Sequence, residues 1–361
     1  MQSSSEDVLS GLRLAGRLGA REKSILNDER LDPAIRKLLE SMPDAAGSLD
    51  LDINMSIEEA LEVAIIGEEL RASTHAIEFS AMPDFSGVSK RTMFIPGEGG
   101  HEISLYIYEP AKKLEPSPCI VHLHGGAMVF FTAADPQYVR LCSTMASHGL
   151  TVVSVEFRNA GGKLGPFPFP SGLDDCCTAV KWIFENKQEL KVSKVIVSGE
   201  SGGGNLSLAA TLRAKSEGWG DFIDGVYACC PYIYGAYSKP NPDLVSLEEN
   251  KDYGPRTDQM VLLSRLYDPS GGNLENPLAW PFHASLEDLS GLPPHVISVN
   301  ELDPLRDEGI SYYRKLKSAG VCADGRIVLG TNHAADVSLP NTIPDIYDAT
   351  IRSIVSFSFS L

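Results

Sequence analysis

The stretch Gly199–Gly203, read Gly-Glu-Ser-Gly-Gly, sets one hydroxyl among small residues in the pattern G-x-S-x-G. The apolar run "VIVS" precedes it and a helix-forming run, "NLSLAATLRAK", follows it. Strand, sharp turn and helix is the setting in which a serine nucleophile is held in a strained turn with its Oγ above a sheet. Small neighbours are needed there because side chains at the flanking positions would collide with the turn. The next helix begins with free N–H groups that face any negative charge developing at the serine. Two phosphate-binding readings of these glycines fail. No Lys follows them, and their spacing is not G-x-G-x-x-G. A plain structural turn accounts for the glycines but not for the whole pattern.

A serine at neutral pH is a poor nucleophile without a base. In this setting the partners follow in the order serine, acid, histidine. Of eight histidines, His283, His295 and His333 come after Ser201. His295 opens an apolar strand run and reads as a packed or surface residue. His283, in "WPFHAS", reads as a pocket-lining residue at most. His333, in "LGTNHAAD", falls in the loop between the last strand and the last helix, where the base belongs. The segment "VISVNELDPLRDEG" offers Glu301, Asp303, Asp307 and Glu308 as the acid. Asp303 ends the strand and precedes Pro304, whereas Asp307 and Glu308 fall in a first helical turn that favours acids anyway. Asp303 is therefore expected to orient the His333 imidazole and stabilise its charged form.

Acyl transfer also needs donors for an oxyanion. The run "VHLHGGAM" follows an apolar strand with two successive glycines. The N–H groups of Gly125, Gly126 and Gly202 are the expected donors, and losing one such donor typically costs about 3–4 kcal/mol. His124 reads as a hydrogen-bonding residue that shapes this loop. His122 and His124 share a strand face with no carboxylate or Cys near them in sequence, so no metal is expected, and the triad chemistry calls for no cofactor.

The elements that must position these groups can be read around them. "HEISLYIYEP" alternates, with Ile103, Leu105 and Ile107 on one face. The runs "PCIVHLH", "LTVVSVEF", "VIVSG", "GVYACCPY" and "HVISVN" are almost wholly apolar, as central strands covered on both faces are. Helical stretches at about 171–190, 203–217, 306–319 and 342–357 separate or follow them, the last after "GRIVLG". Strands alternating with helices imply a mostly parallel sheet with helices on both faces. Residues 1 to about 75 read as helical. There "LDPAIRKLLESMP" spaces Ile35, Leu38, Leu39 and Met42 along one helix face, and Ser56 and Glu59 form a capping box before Leu61, Ala64, Ile65 and Leu70. Residues 76–361 hold the main domain. A Pro-, Tyr- and Gly-rich insertion at about 235–280, with a helix near 257–267, is expected over the C-terminal edge of the sheet, where such folds bind ligands.

With 361 residues and 43% hydrophobic content, the chain can bury a large core without staples. Its net charge of −17 disfavours nucleic-acid phosphate and anionic lipid. Seven cysteines, without metal-binding spacing, read as buried free thiols of a reducing compartment. The first residues hold no apolar run of signal-peptide length, and no segment approaches the ~20 apolar residues of a membrane span. A cytoplasmic, intracellular protein is the expectation.

These residues resemble the α/β-hydrolase fold and, more narrowly, the hormone-sensitive-lipase-like esterases, which carry an HGGG loop and a G-x-S-x-G elbow. "FRNA", "PFPSGLDDC", "GESGGGN", "IDGVYA", "PYIYGAY", "AWPF", "GLPP" and "NELDPLRDEGI" carry the resemblance, over about residues 50–340. It implies an α/β-hydrolase fold with a mostly parallel central sheet flanked by helices. It implies Ser201, Asp303 and His333 as a triad, with Gly125, Gly126 and Gly202 as oxyanion donors. It further implies that the N-terminal helices and the insertion form a helical cap, and that two copies pair through the sheet edge. Two positions depart from the family pattern. Ala127 stands where the loop usually has a third Gly, and Ala334 follows His333 where Gly is common. If position 127 requires φ > 0, alanine is strained there, and an altered pocket shape is expected.

The function expected is a serine carboxylic-ester hydrolase acting on small to medium esters or lactones through an acyl-enzyme. Met128, Phe130, Phe131, Tyr232, Tyr234, Trp280 and Phe282 are the candidate substrate-lining residues. The absence of a sustained apolar lid helix favours such substrates over lipid droplets. Two other classes share the residues: an acyltransferase using the same triad, and a non-catalytic binding module such as the gibberellin receptors. The complete set of Ser, Asp and His argues against the second.

Overall fold

The computed structural model describes residues 14–41, 51–79, 82–113 and 115–361, with the side chains of 72–77 left aside. Met42 and the first thirteen residues lie outside that set. Eight strands form one sheet in the order β1-β2-β4-β3-β5-β6-β7-β8. They are β1 (Val88–Pro96), β2 (Glu102–Pro110), β3 (Ser117–Leu123), β4 (Thr151–Glu156), β5 (Val192–Glu200), β6 (Gly225–Cys229), β7 (His295–Asn300) and β8 (Ala323–Val328). The β1–β2 and β2–β4 pairs are antiparallel and the rest are parallel. Every residue of β3, β6 and β7 is buried, which explains their continuous apolar runs. The half-polar β8 closes one edge.

The longer helices are α1 (Pro33–Ser41), α2 (Ile57–Glu78), α3 (Pro136–Ser147), α4 (Ser171–Glu185), α5 (Gly202–Ser216), α6 (Thr257–Tyr267), α7 (Arg306–Ser318) and α8 (Pro344–Ser360). Successive strand residues point to opposite faces. Ile120, Val152, Ile196 and Val296 pack with Leu141 and Met145 of α3 and Ile351 and Ile354 of α8. Their neighbours Val121, Val153, Val197 and Ile297 join a core with Val180 of α4, Leu206 of α5 and Leu316 of α7. The sheet is thus covered on both faces.

The N-terminal region adds to this frame. The Ser56–Glu59 capping box forms, with Ser56 N–H on Glu59 Oε2 at 2.8 Å and Glu59 N–H on Ser56 Oγ at 3.2 Å. Helix α2 then packs against α6 of the 235–280 region. Arg265 of α6 donates to the Met55 carbonyl at 2.9 Å. The Glu68 carboxylate of α2 accepts the N–H of Phe131 at 3.0 Å and of Lys163 at 2.8 Å, so one buried side chain ties α2 to two loops at the C-terminal edge of the sheet.

Candidate functional site

Strand register decides what meets at that edge. Leu123 of β3 pairs with Gly199 of β5, so the His124–Phe131 loop and the Glu200–Ser201 turn leave the sheet side by side. Asn300 of β7 pairs with Val328 of β8, so the segments carrying Asp303 and His333 leave it together as well.

Ser201 sits at φ 55°, ψ −116°, outside the comfortable region for a side-chain-bearing residue. Such backbone strain costs on the order of 1–3 kcal/mol and persists only where the surroundings enforce it. Here they do: Ser201 N–H donates to the Cys229 carbonyl at 2.9 Å, and the Ser201 carbonyl accepts the Tyr232 N–H at 3.0 Å. The flanking glycines are required by space. A Cβ at Gly199 would lie 2.3 Å from the Leu123 carbonyl oxygen, and one at Gly203 only 1.9 Å from it. Gly204 is also close-packed: a Cβ there would meet the Cys229 carbonyl oxygen at 3.0 Å and Pro231 at 3.1 Å.

His333 Nδ1 donates to Asp303 Oδ2 at 2.7 Å. Asp303 is fully buried, and its other oxygen accepts the Leu305 N–H at 2.9 Å, which fixes the carboxylate plane. The other three acids of that segment are engaged elsewhere. Glu301 accepts from Gly330 N–H, Asp307 from Ser246 N–H, and Glu308 from Ile233 N–H and the Tyr237 hydroxyl. Burial pushes the Glu308 carboxyl well above its usual range. Ala334 takes the left-handed conformation, φ 57°, at the position where Gly is common, and its N–H is held by Asn300 Oδ1 at 3.1 Å. Ligand atoms of Cys230, Asp303 and His333 lie within 4.8 Å of one another. That set does not fit a metal: the Asp303 and His333 atoms are spent on each other, and burial holds the Cys230 thiol well above its usual pKa, hence uncharged.

Ser201 and His333 both line one cavity of about 230 Å³, bounded also by Gly126, Ala127, Phe130 and Tyr232. The donor set needs one correction. The Gly125 N–H is taken by Glu200 Oε1 at 2.6 Å, so it has no proton to offer an oxyanion. Among the described residues nothing accepts from the N–H groups of Gly126, Ala127 or Gly202. A Cβ on Gly202 would fall 2.7 Å from Ala127 N, so the elbow and the loop present backbone amides to the same corner. Gly126, Ala127 and Met128 all have positive φ, at 93°, 55° and 60°. The loop is held in that shape from behind, by Ala160 N–H on the Met128 carbonyl and Asn159 Nδ2 on the Phe131 carbonyl.

Three other histidines, His124, His283 and His295, are held in structural hydrogen bonds. His124 stacks on Phe157 at 4.1 Å and donates from Nδ1 to the Gly125 carbonyl at 2.8 Å. Burial lowers its pKa to about 3, so it stays neutral. His295 is buried with its Nδ1 on the Pro293 carbonyl, and His283 bonds the Tyr234 carbonyl.

Of the seven expected lining residues, Phe130, Phe131 and Tyr232 border the cavity. The other four do not. Met128 is core, Trp280 meets Tyr232 and Tyr267 edge-on, Tyr234 packs on Tyr237 and Phe282, and Phe282 lies under the Lys315 ammonium. Glu200, at the unspecified position of G-x-S-x-G, also borders the cavity, as do Arg71 and Gln137, which no motif marks in the sequence.

Residues 120–336 match the family described as alpha/beta hydrolase fold. An arylesterase of Saccharolobus solfataricus is 30% identical over 74% of this chain and 83% of its own length. Carboxylesterase NlhH of Mycobacterium tuberculosis is 28% identical over 81% of this chain and 85% of its own. Among solved structures, brefeldin A esterase, described as a bacterial homologue of human hormone-sensitive lipase, superimposes with a TM-score of 0.91 at 39% identity, covering 96% of this chain and 98% of its own.

Proposed function

Because this chain belongs to the α/β-hydrolase fold family and is similar to an arylesterase and a carboxylesterase, we propose that it is a serine carboxylesterase with Ser201 as nucleophile, His333 as base and Asp303 as the residue that orients it. The observation that carries this assignment is the 2.7 Å Asp303–His333 bond at the wall of the cavity that Ser201 also lines. With Nδ1 committed to Asp303, Nε2 is the free acceptor. It removes the Ser201 proton as Oγ attacks the ester carbonyl. The N–H groups of Gly126, Ala127 and Gly202 receive the oxyanion, His333 then protonates the departing alcohol, and water cleaves the acyl-enzyme by the same route.

A cavity of about 230 Å³ suits small to medium esters or lactones. The N-terminal helices and the 235–280 region serve as its cap, a reading supported by the packing of α2 on α6 and by the Glu68 bridge to the site loops. Among the described residues no helix is long and apolar enough to cross a membrane. The free state of all seven cysteines fits a reducing, cytoplasmic setting. Two copies pair along the open β8 edge, where Ile327 and Leu329 are exposed; sedimentation tests this. Nothing in a net charge of −17 favours a nucleic-acid partner.

The deciding experiment is hydrolysis of p-nitrophenyl butyrate by the wild type and by Ser201→Ala. Loss of turnover by a factor of about 10⁴ or more is expected. Undiminished turnover removes Ser201 from the mechanism. Added alcohol acceptors in the same assay separate hydrolysis from acyl transfer by the products formed.

A further inference from the structure

One wall of the cavity carries a charge that ester hydrolysis does not require. Arg71, on α2, borders the same cavity as Ser201 and His333, and its guanidinium lies 5.3 Å from the centre of the Phe130 ring. Several other arginines of the fold have acidic partners, and Arg36, Arg140, Arg265 and Arg326 donate to carbonyl, amide or hydroxyl oxygens. Arg30 meets Asp28 and Glu249, Arg158 meets Asp175, Arg213 meets Asp174, and Arg306 meets Glu249 and Asp307. Among the described residues no oxygen accepts a hydrogen bond from Arg71. Its pKa is lowered by burial, with no neighbouring carboxylate acting to raise it. An arginine of this kind is costly in a chain of net charge −17, where acids are abundant, unless something else supplies the anion.

A second group on the cavity wall has the same character. Gln137, in the first turn of α3, is buried, and among the described residues neither its Oε1 nor its Nε2 has a hydrogen-bond partner. A buried amide without partners costs on the order of 1–3 kcal/mol. The one acid on this wall, Glu200, is turned away onto the Gly125 N–H and does not neutralise Arg71. A cavity therefore presents a guanidinium and a primary amide, both unsatisfied, beside the site of acyl transfer.

We propose that Arg71 and Gln137 form a recognition subsite for a carboxylate, so that the preferred substrate is an ester that also bears a free carboxylate, such as a dicarboxylic-acid monoester. The planar guanidinium bonds the two carboxylate oxygens, and the Gln137 amide donates to the same group or to the chain beside it. A single cation in a cavity that also holds Glu200 matches a monoanion better than a phosphate dianion. Because Arg71 is on α2, the segment proposed as cap supplies the specificity. This inference rests on the ester-hydrolase reading for its reaction, but not for its binding.

The test compares monomethyl succinate with methyl 4-oxopentanoate, a neutral ester of the same length, by methanol release. The ratio of kcat/KM for the acid over the neutral ester is expected to fall about tenfold to hundredfold in Arg71→Met, with Arg71→Lys between, as for loss of a charge-assisted hydrogen bond. Calorimetric binding of both compounds to Ser201→Ala reads the subsite without turnover. That variant is expected to bind monomethyl succinate at least tenfold more tightly, and the preference is expected to vanish in Ser201→Ala/Arg71→Met. Equal binding of the two compounds by Ser201→Ala overturns the proposal, whatever the Arg71 variants do to folding. So does an equal fall for both esters in Arg71→Met, the outcome if Arg71 merely packs on Phe130. Preferential binding without methanol release from either ester supports the subsite and overturns the hydrolase reading instead.

Discussion

Glu200 Oε1 accepts the Gly125 N–H at 2.6 Å, joining the residue just before the candidate nucleophile to the loop that carries the candidate oxyanion donors. The bond crosses from β5 to the end of β3, between strands paired at Leu123 and Gly199. Among the described residues the next two N–H groups, of Gly126 and Ala127, have no acceptor, which makes them the candidate donors. A Cβ on Gly125 would lie 2.7 Å from the same carboxylate oxygen, so the approach depends on glycine.

Removing that carboxylate is expected to act on kcat more than on KM. Glu200→Ala leaves the buried Gly125 N–H without an acceptor, at a cost of about 1–3 kcal/mol in stability. The freed loop misplaces its donors, and displacement by about 1 Å can cost up to about a hundredfold in rate. Glu200→Gln keeps an acceptor oxygen and is expected to lose much less. Steady-state kinetics on p-nitrophenyl butyrate together with thermal melts separate the two effects. A Glu200→Ala variant with unchanged kcat removes the loop-positioning role.

Asp303→Asn tests the second relationship in the site. Asp303 Oδ2 holds Nδ1–H of His333 at 2.7 Å, which leaves Nε2 as the candidate base. An asparagine amide can present N–H instead, favouring the tautomer with the proton on Nε2. The expected loss in kcat is about 10³–10⁴ with little change in KM. A loss below tenfold assigns the orienting role elsewhere. Because Oδ1 also accepts the Leu305 N–H, circular dichroism should accompany the kinetics.

What is legible in the sequence is whatever a short stretch carries within itself. Ser201, Asp303 and His333 each lie where a strand ends, and turn residues mark those ends. The two glycines beside Ser201 are demanded by contacts with Leu123, but the demand shows locally as G-x-S-x-G. Gly125 misleads because its partner, Glu200, is 75 positions away and meets it only through strand pairing. Strand β1 leaves no such mark, since Ser89–Thr92 are exposed on an edge strand and show no apolar alternation. Helix α3 is hidden for a different reason: it buries Gln137, Arg140 and Ser143, which blur its apolar period. Tyr234, Trp280 and Phe282 are expected in the cavity and lie outside it, because composition cannot separate rings that pack on one another from rings that face a ligand.

Ala127 stands at φ 55°, and its N would lie 2.7 Å from a Cβ built on Gly202. Alanine tolerates the left-handed region at a cost of roughly 1–2 kcal/mol, and a β-branched side chain tolerates it poorly. Ala127→Val is expected to lower both thermal stability and kcat, the latter by at least about tenfold, because the loop can relieve the clash only by turning its peptide unit away. Unchanged kcat with reduced stability places the donor elsewhere in the loop.

The last prediction concerns acid. Asp28, in the N-terminal segment, binds Arg30 through both oxygens and accepts the Tyr253 hydroxyl at 3.0 Å. Burial pushes its carboxyl up, but Arg30 and Tyr253 more than offset this and hold it at about 2, against an ordinary 3.8. Arg30 also meets Glu249, which Arg306 shares, and Asn250, whose Nδ2 donates to the Asp303 carbonyl at 3.1 Å. The network thus ties the N-terminal segment to the turn that carries the candidate triad acid. A carboxyl with a depressed folded pKa contributes stability that is full above its unfolded value and is lost as pH falls through the folded one. The window here runs from about pH 4 down to about 2, and the contribution is on the order of 2 kcal/mol. Glu249, whose carboxyl burial pushes up but Arg306 and Arg30 hold low, acts in the same direction. Melting temperatures of the wild type should therefore fall steeply below pH 4. Asp28→Asn should start lower at pH 6, because it leaves Arg30 short of an acceptor, and should decline less steeply over the window. Parallel pH profiles for the two proteins would show that Asp28 is not the titrating group.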